Sequence, residues 1–268
     1  MLTERSGEER PYNKKLQKYF FIMAISANTL FHFTSTYDIL IKILQSRFFP
    51  RLCLEKGLWH PGDMKWAIPM VCFCDIPLSN IADHTKKYGN YAIGLKKTWA
   101  IEQGVSPILY VHDNTPFVLQ ALSALKWSLE LSQKDAENLQ ERLAEVMSMF
   151  FMMKPYEGYQ ERGGKREKIR FYDEREWRYL PPIGGQHINF LTEEKFKDKA
   201  QRERLNSFNE QYGVNFYPDV INYIIVEKEE EIVSLMHKLH SIKGDFSYNS
   251  VELLSSRIIS MDRIREDF

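Results

Sequence analysis

Apolar positions recur along this chain with two periods, and the period switches often enough to predict mixed α and β structure. Residues 28–33 alternate as a strand, and Ser35 or Thr36 then caps a helix carrying Ile39, Leu40, Ile43 and Leu44 at helical spacing. Residues 68–75 read as a buried strand, followed by a polar, turn-rich segment through Asn90. Two further strands are expected at 91–95 and 107–111, joined by a short helix at 98–103 that Gly104 ends. Thr115-Pro116 starts a helix to about Leu131. Ser132 with Asp135 starts another, whose stripe of Leu139, Leu143, Val146, Met147, Phe150 and Phe151 marks a packed face.

Residues 154–170 break the pattern. They hold Pro155, the pair Gly163-Gly164 and five basic residues from Arg162 to Arg170, and they read as an exposed loop. Strands at 176–180 and 187–191 follow. Thr192 caps a polar helix to about Gln211, and then come a strand at 221–226, a helix at 228–242 and a last strand at 257–261. Strands, then helices, then strands again predict an α+β domain and not a doubly wound sheet.

Composition changes this picture little but closes some options. Lys plus Arg and Asp plus Glu number 36 each, so no whole-molecule field steers the chain towards a phosphate polymer, and any nucleic-acid contact needs a local patch. Cys53, Cys72 and Cys74 are an odd set, two of them spaced Cys-x-Cys, which argues against a disulfide framework and for a reducing, cytoplasmic setting. The apolar run from Tyr19 to Ala27 is far short of the roughly 20 residues a membrane span needs. The acidic residues Glu4, Glu8 and Glu9 ahead of it do not suit a signal peptide, so it reads as a buried strand or helix.

Three blocks can carry chemistry. In Phe31-His32-Phe33-Thr34, alternation puts His32 and Thr34 on one face, where an imidazole and a hydroxyl can hold a ribose; the plainer reading is a satisfied core histidine and a turn residue. In the run from Asp173 to Tyr179, Glu174, Glu176 and Arg178 fall on one face of a short strand. A carboxylate there suits a positive, oxocarbenium-like transition state, and the alternative is an edge strand whose Glu and Arg simply pair. In the third block Cys72 and Cys74 share a strand face with His84 nearby, but a fourth ligand is missing, so buried free thiols are expected and no metal. Phosphate-loop, metalloprotease and nucleophile-elbow motifs are all absent from the sequence.

Taken together, the blocks Leu30-Phe-His-Phe-Thr34, Ile39-Leu-x-x-Ile-Leu44, the run from Pro69 to Leu78, Tyr88-Gly-x-Tyr-x-Ile-Gly-Leu95 and Glu174-x-Glu-Trp-Arg178 resemble the AbiGi-type abortive-infection proteins. More loosely, their order is similar to that of DarT-type ADP-ribosyltransferases. The second resemblance implies a split β-sheet core at about 25–192 with a helical insertion at about 115–153, and an α/β extension at 193–268, all in one domain over 1–268. It implies NAD as substrate, with ADP-ribose moving to a macromolecule, most simply RNA or single-stranded DNA. Glu176 or Glu174 would be the catalytic carboxylate. On the NAD side it places His32 at the ribose with Thr34 assisting, Arg47 or Arg51 at the phosphates, Tyr88 or Tyr91 on the nicotinamide, and Ser79 as a further cofactor-binding residue. The acceptor would meet Arg162, Lys165, Arg166 and Arg178. AbiGi-type proteins are also described as antitoxins, so the same resemblance implies an alternative, a non-catalytic module that grips a cognate toxin or other partner protein.

Overall fold

The computed structural model describes residues 26–56, 65–112, 115–132, 139–162, 165–182 and 190–267. The runs expected at Tyr19–Ala27 and 187–191, and the start of the helix expected from Ser132, lie largely outside these residues.

β-branched and aromatic residues bounded by turns give the strands, nine of which, among the described residues, assemble into one sheet. Its path runs β13 (Ile258–Ser260), β12 (Ile221–Val226), β4 (Tyr91–Lys96), β1 (Thr29–Thr34), β3 (Lys65–Cys74), β10 (Glu176–Tyr179), β5 (Ser106–Pro107). β3 is ten residues long, and its first half pairs instead with β2 (Arg51–Lys56) and β11 (Leu191–Thr192). All these pairings are antiparallel except β12 with β13. Because β12 bonds to β4, the C-terminal third supplies strands of the main sheet. The mixture of elements is that of an α+β protein, as the sequence pattern predicts.

Helices cover both faces. On the rear face α1 (Tyr37–Gln45), α3 (Lys97–Glu102), α8 (Glu230–Ile242) and α9 (Tyr248–Ser255) bury Leu40, Leu44, Trp99, Leu235, Leu239 and Leu254 against Leu30, Phe73, Leu95 and Ile224. The expected cap is present at α1, where the Thr36 hydroxyl accepts from the Ile39 amide. On the front face α2 (Ile81–Tyr88) and α10 (Met261–Asp267) pack on Phe31, Ala92 and Ile225, and α5 (Leu139–Phe151) packs on Ile68 and Met70. α4 (Pro116–Ser132) lies against α5.

Several expectations are corrected. The polar stretch before Asn90 is helix α2, because its turn signal at Pro77 opens a short 3-10 turn that runs straight into it. The exposed loop at 154–170 is strand: β7 (Met153–Pro155) pairs with β6 (Leu109–Val111), and β8 (Glu157–Arg162) pairs with β9 (Lys165–Arg170) as a hairpin. A Gly-Gly pair between two alternating runs is a two-residue hairpin signal, which the charge of the segment obscures. The strand expected at 107–111 is split between β5 and β6 in different sheets. The polar helix from Thr192 is two helices, α6 (Glu193–Lys197) and α7 (Lys199–Asn209), since Asp198 leaves helical geometry and caps the second by accepting from the Ala200 and Gln201 amides. Among the described residues, no helix is long and apolar enough to cross a membrane.

Candidate functional site

Antiparallel partners point their side chains to the same face of a sheet, so the register assigns every candidate residue to a side. Phe31 opposes Cys74, and Cys74 opposes Glu176. Phe31, Cys72, Cys74, Glu176 and Arg178 therefore share the front face. His32 and Thr34, one residue out of phase with Phe31, belong to the rear face, as does Tyr91, which opposes Thr34.

On the front face a charged cluster is built from distant segments. Arg178, fully buried, donates from Nε to Glu176 Oε1 at 2.6 Å, from Nη2 to Glu55 Oε2 at 2.6 Å and from Nη1 to the Phe151 carbonyl at 2.7 Å. Lys154, on β7, donates to Glu176 Oε2 and to Glu174 Oε2, both at 2.8 Å, and lies 3.8 Å from Glu55. Tyr88 closes the cluster by donating to Glu174 Oε1 at 2.5 Å, and the Tyr110 hydroxyl accepts from the Glu176 amide at 2.8 Å.

Local backbone makes this convergence possible. Glu174 lies in a 3-10 turn, and the strand begins only at Glu176. Between them Arg175 adopts φ 45°, a left-handed corner uncommon for a residue with a side chain. Its guanidinium donates to the Asp75 carbonyl at 3.0 Å, and the Asp75 amide donates back to the Arg175 carbonyl at 2.9 Å, which fixes the corner against the end of β3. The corner lets two carboxylates two residues apart reach one ammonium. Gly89 does the same service for Tyr88. It ends α2 at φ 108°, and a Cβ there would lie 2.2 Å from the Thr34 carbonyl oxygen, so only glycine lets the helix end seat against β1.

The electrostatics follow from three carboxylates around two cations in a buried place. Burial pushes the Glu176 carboxyl up, but Arg178 and Lys154 outweigh it and hold the group down at about 2. Burial alone would lower Lys154 and Arg178, yet Glu55 and Glu176 raise both well above their ordinary values. Beside them the Cys74 thiol is pushed up by burial and then by Glu176 and Glu174, and its sulfur lies 3.0 Å from His84 Nε2. The His84 ring lies tilted against Tyr88 and Phe33, with centroids 4.9 and 5.3 Å away. Sequence spacing pointed to His84 near the Cys-x-Cys pair, and the fold brings it to Cys74. Cys53, Cys72 and Cys74 are free.

Of the expected residues, the structure thus brings together Glu174, Glu176, Arg178 and Tyr88. Arg178, expected at an acceptor, is instead sealed under the sheet face as an ion-pair partner. The expected convergence of His32 with Glu176 does not occur, since adjacent positions on a strand face opposite ways. His32 sits among Phe48 and Phe73 with Nδ1 2.8 Å from the Cys72 carbonyl oxygen, and burial lowers its pKa. Thr34 donates to the Thr36 carbonyl, and Tyr91 donates to Glu227 and Glu231. Arg51 pairs with Glu210 at 3.0 Å, Arg47 lies over the Phe49 ring, and Ser79 is exposed beside Asn80. Arg166 stacks on Tyr159 of the hairpin, while the side chains of Arg162 and Lys165 lie outside the described ones. The residues that sequence reasoning missed are Lys154, Glu55 and Tyr110. Lone charged or aromatic residues on short strands give no spacing signal, and only pairing across 22 to 123 positions reveals them.

A hollow of about 460 Å3 opens elsewhere on the front face, lined by Phe31, Pro77, Leu78, Asn222 and Tyr223 with residues 27–29, and none of the expected site residues borders it.

The cluster lies within residues 46–227, and that span matches the sequence model of the family described as "Putative abortive phage resistance protein AbiGi, antitoxin". The chain belongs to the AbiGi family. It is also similar to the abortive phage resistance protein AbiGi of Lactococcus lactis subsp. cremoris, with 28% identity over 232 residues, covering 76% of this chain and 90% of that relative. No solved structure matches the chain. The matched span contains the whole charged cluster and begins after His32 and Thr34.

Proposed function

We propose that this chain serves abortive phage resistance as an antitoxin-type binding protein that holds a partner protein by its surface, its front-face cluster being structural. One observation carries the reading. All four carboxylate oxygens of Glu174 and Glu176 already accept hydrogen bonds, from Tyr88, Lys154 and Arg178. A carboxylate that stabilises an oxocarbenium-like transition state must face the sugar with its charge available. Here that charge is spent on a buried arginine and a largely covered lysine. The family's description as an antitoxin and the absence of a net basic field in the sequence agree with a protein partner in preference to a phosphate polymer.

The test is a pair of assays on the full chain. Incubation with labelled NAD and RNA, single-stranded DNA or protein should give no label transfer and no nicotinamide above background, and co-expression with the toxin of the same locus should restore growth. Transfer of ADP-ribose that disappears in Glu176→Gln would instead establish the NAD-dependent transferase implied by the DarT likeness.

A further inference from the structure

Breaks in the regular sheet gather at one place on the front face, around the hollow lined by Phe31, Pro77, Leu78, Asn222 and Tyr223 with residues 27–29. The first is a glycine inside a strand. Gly94 of β4 stands between Phe31 of β1 and Tyr223 of β12 and opposes both. A Cβ at Gly94 would come within 2.7 Å of the Phe31 ring and 2.9 Å of the Thr29 methyl. The missing side chain is therefore what lets the Phe31 and Tyr223 rings meet across β4, 24° apart in plane with centroids 6.0 Å apart. The second is a bulge. Ile221 opposes Leu95 and Tyr223 opposes Gly94, which leaves Asn222 as an extra residue on β12. In a regular strand Asn222 and Tyr223 would point to opposite faces. The bulge brings both to the hollow, where Asn222 Nδ2 donates to the Thr29 hydroxyl at 2.8 Å. Bulges that re-aim a side chain in this way recur beside functional sites.

The lining decides what fits. A volume of about 460 Å3 falls in the range of roughly 300–1,000 Å3 that small-molecule sites occupy. Phe31 is buried and backs Tyr223, which is half-buried and brings an aromatic surface to the hollow, with Pro77 and Leu78 beside it. None of the lining residues is charged, so a phosphate or carboxylate finds no counter-ion inside. The polar groups are two side-chain amides and a hydroxyl. Among the described residues, the Asn222 carbonyl oxygen and the Asn28 side-chain amide have no hydrogen-bond partner, which leaves acceptors and a donor at the edge of the aromatic surface. An alkyl ligand would cover these groups without satisfying them. A neutral planar ring with donors and acceptors on its rim satisfies both surfaces at once, and a side-chain amide is the bidentate partner of adenine in base recognition.

We propose that this hollow is a nucleobase site, taking the base of a nucleoside or of a single strand, and adenine most tightly. The base stacks on Tyr223 while Asn222 and Asn28 read its rim. The site is separate from the Glu174 and Glu176 cluster, and it holds whether or not the chain acts as an antitoxin.

Calorimetry on the full chain with adenosine, guanosine, cytidine and uridine, and with single-stranded oligoadenylate, tests the site. Adenosine should bind. Tyr223→Leu should weaken it about tenfold, the worth of one base–aromatic stack, whereas Tyr223→Phe, which keeps the ring, should stay within about twofold of wild type. Asn28→Ala should weaken it about fivefold, the worth of one hydrogen bond, with the urea midpoint unchanged because Asn28 is exposed. Oligoadenylate held about tenfold or more tighter than adenosine, and lost in the same variants, identifies a single strand as the source. Equal affinities identify the free nucleoside. No binding of any nucleoside or of oligoadenylate overturns the nucleobase site, and so does adenosine binding that Tyr223→Leu and Asn28→Ala both leave unchanged. A pyrimidine nucleoside bound more tightly than adenosine overturns adenine as the base.

Discussion

The rear of the sheet is closed by Leu30, Phe73, Leu95 and Ile224 under four helices, and the front is closed near Cys74 by Glu176, Arg178, Lys154 and Glu174. Both places are buried, but they hold together for different reasons. Apolar burial is non-directional and tolerates small shifts, whereas each buried charge demands its own partner at hydrogen-bond distance. The front cluster therefore does for specificity what the rear does for stability. Arg178 alone ties β10 to β2 and to the end of α5, and Lys154 ties β7 to the left-handed corner at Arg175. An arrangement this interlocked fixes which segments meet, and it leaves the carboxylates committed.

The sharpest way to break this contrast is to remove one charge. Arg178→Met should cost about 3–5 kcal/mol, the penalty for stranding buried carboxylates, measured as the change in urea unfolding free energy. A loss below about 1 kcal/mol would mean that the cluster is relaxed by water and ranks with surface pairs. Acid comes next. The Glu176 carboxyl is held at about 2 in the fold, against about 4.3 in an unfolded chain. Its stabilisation is thus fully present above the unfolded value and is lost as pH falls through the folded one. On the order of 3 kcal/mol should disappear between about pH 4.3 and 2, and Glu176→Gln should flatten that part of the profile. The smallest effect is on the rear face, where His32→Phe removes one hydrogen bond to the Cys72 carbonyl and should cost about 1–2 kcal/mol, with the toxin affinity unchanged.

The sequence was most readable where a local rule acts alone. The Thr36 cap, the end of α3 at Gly104 and the alternation of β1 follow from neighbours a few residues apart, and the period-2 pattern already put His32 and Phe31 on opposite sides of their strand. Reading Glu174 as part of the strand failed because the turn at Arg175 takes a conformation that arginine rarely adopts, held by contacts to Asp75 a hundred residues earlier. The basic stretch at 162–170 was misread because its charges suggest a loop, while the pairing of β8 with β9 is decided by backbone bonds indifferent to side-chain charge.

The chain's own order of residues determined the α+β class and most of the helices and strands, and it carries the match to the AbiGi family over residues 46–227. Tertiary structure alone decided which candidates meet, because the side of a sheet on which a residue lies depends on the register of strands far apart in sequence. Lys154 and Glu55 became neighbours of Glu176 only when β7 and β2 closed around it, and no local spacing encodes contacts made by folding across 22 residues, in the case of Lys154 with Glu176, or 123, in the case of Glu55 with Arg178.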